Sequence, residues 1–165
     1  MRRGTALILL CVLLGGCLKP AVRDAPASRP AEETMTLLRA AAAAGDAEEV
    51  RRAGTRFLER RPDDPDAAEV RLLVARADIE LGFFGEAEEV LSPLLNETGE
   101  TGGRALLLLS RVSAADGRFE EAAIQLIRSL ELPISNGERL RAAERLAGTL
   151  TILDCLLYTS DAADE

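Results

Sequence analysis

The chain has 165 residues and a formal net charge of −8, carried by mixed Glu and Arg with no basic stripe beyond the N-terminus, so nucleic acid is not an expected partner. It contains no His, which excludes imidazole metal sites and His-dependent acid–base or triad catalysis. Ala, Leu, Glu and Arg dominate, and runs of β-branched or aromatic residues are almost absent, so the composition predicts an all-α fold.

The N-terminus has the anatomy of a secretory signal peptide, which we assign to residues 1–16. Basic Arg2 and Arg3 precede an apolar run from Ala6 to Leu14. That run is too short to span a bilayer as a helix, which takes about 20 residues. A basic start, a short apolar stretch and small residues before the cleavage point are typical of exported proteins.

The letters LGGC at residues 14–17 resemble the lipobox of bacterial lipoproteins, in which a branched apolar residue and two small ones precede an obligatory Cys. The resemblance implies that the Cys17 thiol is lipidated and that acyl chains anchor the protein to a membrane. Leu18, in a position where Asp would retain the protein, implies sorting to the outer membrane, facing the periplasm. The alternative is an ordinary signal peptide with an incidental Cys.

A flexible tether follows the lipobox. Residues 18–33 carry three prolines, several alanines and no apolar periodicity. Such a composition favours an extended, mobile segment that holds a folded part away from the membrane. We therefore assign residues 17–31 to the lipidated Cys and the Pro/Ala tether, and residues 32–154 to a folded helical domain.

Three similar segments recur in this domain around Gly45, Gly82 and Gly117, which lie 37 and 35 residues apart. The last two share the pattern Gly-x-Phe-x-Glu-Ala, with Phe84 and Phe119 two residues after the Gly. Each Gly is expected to end a helix in the left-handed conformation, and each Phe to cap the core of its own helical hairpin as a structural residue. A period in the mid-thirties resembles the tetratricopeptide repeat, a pair of helices with a period of 34. The resemblance implies stacked helical hairpins, an α-solenoid.

Apolar residues recur at helical spacing on both sides of the turns, which independently predicts paired helices. Two positions depart from the aromatic residues that the repeat family favours in the second hairpin, Arg71 and Asp78. The alternative to stacked repeats is an ordinary helical bundle. The predicted core stripes are Ala68, Leu72, Ala75 and Ile79; Ala87, Val90, Leu91, Leu94 and Leu95; Ala105, Leu108, Leu109 and Val112; and Ala122, Leu126 and Leu130.

Prolines and a capping motif predict where later helices break and begin. Pro93 and Pro133 predict a kink at Ser92 and a helix end near Leu132. Ser135, with Glu138 three residues on, forms a capping box that opens another helix. That helix carries an apolar stripe that requires a partner to cover it. The stripe consists of Leu140, Ala143, Ala147 and Leu150.

No motif in the sequence carries chemistry, so the chain is predicted to be non-catalytic and to hold no cofactor and no metal. Adjacent acids such as Glu88-Glu89 and Glu120-Glu121 point to different sides of a helix and cannot work as an acid–base pair. The acidic run at residues 63–66 lacks the Gly and distal Glu of a calcium loop. A stack of helical hairpins has a concave surface, whose usual role is to hold a segment of another protein.

The last eleven residues, CLLYTSDAADE from Cys155 to Glu165, differ in composition from the rest of the chain and contain no Arg. They match a translation of the mosaic-end adapter of transposase-based sequencing libraries, so we interpret residues 155–165 as an artefact. On this interpretation the natural protein continues after Asp154, and the fourth repeat is cut in half. The alternative is a polar C-terminal tail that frays.

These features together predict a lipid-anchored periplasmic scaffold that binds an envelope protein. The layout of lipobox, tether and helical repeats resembles that of the penicillin-binding protein activators, which implies a peptidoglycan synthase as partner and a role in cell-envelope biogenesis. Other envelope lipoproteins with repeats share this layout. The alternative is the N-terminal repeat domain of a larger periplasmic peptidase or hydrolase, and a third possibility is a short, complete repeat protein.

Overall fold

A computed structural model of the chain describes residues 31–161. These residues form helices connected by short turns, without a β-strand among them, so the predicted all-α fold is confirmed for this part of the chain. The signal peptide, Cys17 and residues 18–30 of the predicted tether lie outside the described residues, as do residues 162–165 of the tail. The helices are α1 (Ala31–Ala44), α2 (Ala47–Arg60), α3 (Ala67–Leu81), α4 (Phe84–Leu91), α5 (Glu100–Ala115), α6 (Phe119–Glu131) and α7 (Asn136–Asp161), with a 3-10 turn at Ser92–Leu94.

Three glycines adopt the left-handed conformation, and each joins two helices. Gly45, Gly82 and Gly117 have φ angles of 74°, 82° and 76° and close the α1–α2, α3–α4 and α5–α6 turns. At the middle turn the amide of Phe83 donates to the carbonyl oxygen of Asp78 at 2.8 Å, and the amide of Gly82 donates to that of Ile79 at 3.3 Å. The other two turns have the same pair of hydrogen bonds. This is the Schellman arrangement, which satisfies the last carbonyls of a helix and needs a residue that tolerates positive φ.

Each helix packs against its neighbours in the chain, and alternate helices also touch. Helix α2 packs on α3, α4 on α5, and α6 on α7, so consecutive hairpins are in contact. Contacts also join α1 with α3, α3 with α5, and α5 with α7. These four helices therefore lie side by side, and side chains that are far apart in sequence meet on the surface they share.

The central core unites α3, α4 and α5, and it confirms the predicted stripes of these helices. Every residue of the three stripes is either buried in this core or packed against it, and Phe84 packs against it as well. A second core, between α1, α2 and α3, was not singled out from the sequence. It consists of Met35, Leu38, Phe57, Val70 and Val74.

The predicted breaks agree with the structure. Helix α4 ends at Leu91 and gives way to the 3-10 turn that contains Pro93, and α6 ends at Glu131, just before Leu132 and Pro133. The capping box at the start of α7 is present in both directions. The amide of Glu138 donates to Ser135 Oγ at 3.3 Å, and the amide of Ser135 donates to Glu138 Oε2 at 3.1 Å.

Helix α7 buries a different face from the stripe seen in the sequence. Leu140 and Leu150 are 62% and 50% exposed, whereas Ala142 and Thr149 are buried. Helix α7 packs on α6 and, less extensively, on α5, so the residues on the side that faces these helices lose solvent. The helix continues without a break across the boundary that the sequence analysis places after Asp154.

Candidate interaction surface

A small cleft lies where α3, α5 and α7 come together. Its volume is about 80 Å³, and its lining is rich in arginine. Arg104 and Arg111 are seven residues apart on α5, and Arg141 and Arg145 are four apart on α7, so each pair occupies one face of its helix. The lining consists of Leu72, Leu73, Arg76, Arg104, Leu107, Leu108, Arg111, Glu138, Arg141, Ala142 and Arg145.

The floor of the cleft is apolar. Leu72 and Ala142 are buried, while Leu73, Leu107 and Leu108 are half-buried. Because these side chains belong to helices in contact with one another, the apolar floor is continuous with the packed interior. A molecule that enters the cleft would therefore meet hydrocarbon below and guanidinium groups around it.

A single ion pair lies within this lining. Arg104 Nε is 3.2 Å from Glu138 Oε1, and Glu138 is held in turn by the Ser135 hydroxyl, which donates to Oε2 at 2.6 Å. Burial pushes the pKa of Glu138 upward, but the hydrogen bonds from Ser135 and the charges of Arg104 and Arg141 outweigh it and lower the pKa. Glu138 is therefore a firmly ionised partner for one arginine of the cleft.

The other four arginines of the cleft, Arg76, Arg111, Arg141 and Arg145, have no ion pair among residues 31–161. Burial lowers the pKa of Arg111; the charge of Glu80 opposes this shift, and the charge of Arg76 adds to it. Burial likewise lowers the pKa of Arg145, and the charges of Arg111 and Arg141 lower it further. These guanidinium groups stay protonated, since arginine keeps its charge in proteins. Arg111 is half-buried, the other three side chains are exposed, and the like charges repel one another.

Although the sequence has no basic stripe outside the N-terminus, the fold gathers five arginines in this cleft. The arginines come from three helices, and Arg76 is 28 positions from Arg104 while Arg111 is 30 from Arg141, so no short window of the sequence contains them together. Their helical spacing within α5 and within α7 was the available signal. What the spacing could not reveal is that α3, α5 and α7 lie next to one another.

The residues singled out from the sequence lie away from this cleft. Gly45, Gly82 and Gly117 occupy the three hairpin turns. Phe84 and Phe119 are the first residues of α4 and α6, and both are half-buried. Cys17, the predicted lipidation site, lies outside the described residues.

A second group of charged residues, which we call the α2/α3 junction, contrasts with the cleft. Arg51 of α2 places its Nε 2.6 Å from Oδ1 of Asp78, whose side chain is 2% exposed. The Arg51 guanidinium also lies 4.3 Å from the centre of the Phe83 ring. Burial raises the pKa of Asp78, while the hydrogen bond and charge of Arg51 oppose this rise. Asp78, a departure from the repeat pattern in the sequence, is therefore the buried partner of an arginine on the preceding helix.

Residues 31–161 contain neither a metal-binding cluster nor a membrane-spanning helix. No group of three or more metal-ligating side chains is gathered there. None of the helices in this range is both long and apolar enough to cross a membrane. Comparison with protein-family models, curated proteins and solved structures gave no match to this chain.

Proposed function

We propose that the protein is a non-catalytic interaction scaffold of the bacterial cell envelope, built from tetratricopeptide-like helical hairpins stacked as an α-solenoid. The observation that carries the proposal is the packing order of the helices. Three hairpins turn at left-handed glycines 37 and 35 residues apart, and alternate helices contact one another. In solenoids with this packing order, the first helices of successive pairs form one continuous surface. That surface holds segments of partner proteins.

The cleft supports the same proposal. Its lining belongs to α3, α5 and α7, the helices that would form the inner surface of a solenoid. It combines apolar side chains with arginines, four of which make no ion pair with another described residue, a combination typical of surfaces that recognise another protein. An envelope protein is the partner class we propose, with a peptidoglycan synthase as the specific candidate because of the layout described for the sequence.

Lipid anchoring through Cys17 is the second part of the proposal, and it places the scaffold on the periplasmic side of the outer membrane. It is tested with Cys17→Ser in cells fed a fatty-acid analogue. The parent should incorporate the label, and the variant should accumulate as an unlabelled precursor. Equal labelling of both proteins would contradict lipidation at this residue.

The scaffold function is tested by photo-crosslinking in cells. A photoreactive amino acid replaces Leu107, which lines the cleft, or Ile124, which is 58% exposed on α6 and serves as the matched control. We expect a defined crosslink to an envelope protein from position 107 and none from position 124. Crosslinks of equal yield from both positions, or none from position 107, would contradict an interaction surface at the cleft.

A further inference from the structure

The cleft is positively charged, whereas the chain as a whole is acidic. The chain as a whole carries 28 acidic and 20 basic side chains, yet five arginines and one glutamate line this cleft. We propose that the cleft binds an acidic segment of a partner protein, whose carboxylates pair with Arg76, Arg111 and Arg145 while its apolar side chains lie on the leucine floor. This inference rests on the proposed scaffold function and names the chemistry of its partner.

The chemistry of the unpaired guanidinium groups suits an anionic ligand, and carboxylates are among the anions that fit. Each guanidinium presents five N–H donors in a planar fork that matches a carboxylate through two parallel hydrogen bonds. Arg76, Arg111 and Arg145 make no ion pair with another described residue, so this capacity is available to a ligand. A bound carboxylate would also relieve the mutual repulsion of these charges, which an uncharged ligand would leave in place.

The size of the cleft favours single side chains over a whole small molecule. Sites for drug-sized ligands and cofactors enclose roughly 300–1,000 Å³. A cleft of about 80 Å³ is far smaller than such sites, so only parts of a ligand can enter it. The ligand therefore lies across the helices and inserts side chains, as an extended or helical segment of a protein does.

The apolar floor distinguishes an acidic protein segment from other polyanions. Leu73, Leu107 and Leu108 are half-buried and remain available for contact. Single-stranded nucleic acids bind through aromatic side chains on which bases stack, and the lining contains none. A peptide that mixes Glu or Asp with Leu matches both the arginines and the floor.

The test measures binding of a fluorescent, soluble peptide that mixes Glu with Leu to the full chain in detergent micelles. The same peptide with Gln in place of Glu is the control ligand. We expect saturable binding of the Glu peptide that weakens as salt is added, and at least tenfold weaker binding of the Gln peptide. Arg111→Gln should weaken binding of the Glu peptide by about tenfold or more. Arg128→Gln, on the exposed face of α6 outside the cleft, should leave it unchanged.

Several outcomes would overturn the inference. Equal effects of Arg111→Gln and Arg128→Gln would show that the peptide responds to overall charge and not to the cleft. Displacement of the peptide by inorganic phosphate or an oligonucleotide at lower concentrations than by free Glu peptide would assign the cleft to phosphate chemistry. Loss of self-association in Arg111→Gln, measured by sedimentation, would assign it to a second copy of this chain. Circular dichroism melts verify that both variants are folded.

The crosslinking experiment separates this inference from the proposed function. A crosslink from position 107 without any arginine-dependent peptide binding would leave the scaffold standing and refute the acidic segment. Arginine-dependent peptide binding without a crosslink in cells would support the cleft chemistry and count against the scaffold. Absence of both results would refute both proposals.

Discussion

Two regions of the molecule contain arginines on neighbouring helices, and the regions differ in whether a carboxylate pairs with them. At the α2/α3 junction, Arg51 reaches a buried carboxylate, Asp78, and an aromatic ring, Phe83. In the cleft between α3, α5 and α7, Arg76 and Arg111 make no ion pair with another described residue, although the charge of Glu80 acts on Arg111. A guanidinium that is paired inside a protein joins two helices, whereas one left unpaired in a cleft weakens the fold slightly and is available to a ligand.

The largest expected effect on stability concerns the core between α1, α2 and α3. Phe57 is 6% exposed and packs with Met35, Leu38, Val70 and Val74. Phe57→Ala removes a ring from a tightly packed site, so we expect the free energy of unfolding to fall by about 3–5 kcal/mol. Chemical denaturation followed by circular dichroism measures the change.

The control for Phe57→Ala is Leu37→Ala on α1, because Leu37 is 47% exposed. That variant should unfold at nearly the same denaturant concentration as the parent. If the two variants are equally destabilised, α1 and α2 are not packed as described.

The second prediction concerns the ion pair of the junction and its dependence on pH. Arg51→Met keeps an aliphatic side chain but leaves the Asp78 carboxylate without its partner. We expect a loss of about 2 kcal/mol at neutral pH, below the usual cost of breaking a buried pair because Arg51 is 38% exposed. Arg39→Met, which breaks the exposed pair of Arg39 with Glu69, is the control and should change stability little.

The sign of the pH dependence follows from the raised pKa of Asp78. Asp78 holds its proton more tightly in the folded protein than in the unfolded chain. Its favourable contribution to the free energy of unfolding is therefore complete below the ordinary Asp pKa and is lost as pH rises through the folded-state pKa. Removing Arg51 raises that pKa further. The difference in stability between Arg51→Met and the parent should therefore shrink as pH falls toward about 4. A difference that stays constant or grows on acidification would contradict this account of the pair.

The smallest expected effect on stability is in the cleft, where removing an arginine should stabilise the fold slightly instead of destabilising it. Arg145→Gln removes one of several like charges, so stability should stay within about 0.5 kcal/mol of the parent and rise, not fall. The physical cause is the same dehydration and repulsion that lower the pKa of Arg145. Thermal melts of Arg145→Gln and of the control Arg128→Gln provide the comparison. A marked loss of stability in Arg145→Gln would mean that this arginine is structural, like Arg51.

The sequence by itself determined the local features of this protein. Gly45, Gly82 and Gly117 could be recognised as turns because a helix end in the left-handed conformation strongly favours Gly. The capping box at Ser135 and the helix break at Pro93 depend on residues within a few positions of each other, so they too could be predicted. The core stripes of α3, α4 and α5 follow from helical periodicity alone.

Tertiary structure decided which of these elements are in contact. It thereby also decided where the candidate site lies. Helical periodicity assigned an apolar stripe to α7, but the packing of α7 against α5 and α6 buries Ala142 and Thr149 and leaves Leu140 and Leu150 exposed. Arg51 and Asp78 are 27 positions apart, and nothing in either segment indicates that they pair. The arginine cleft exists because α3, α5 and α7 lie together, and charges on separate helices combine into one field only when packing brings them within a few ångströms.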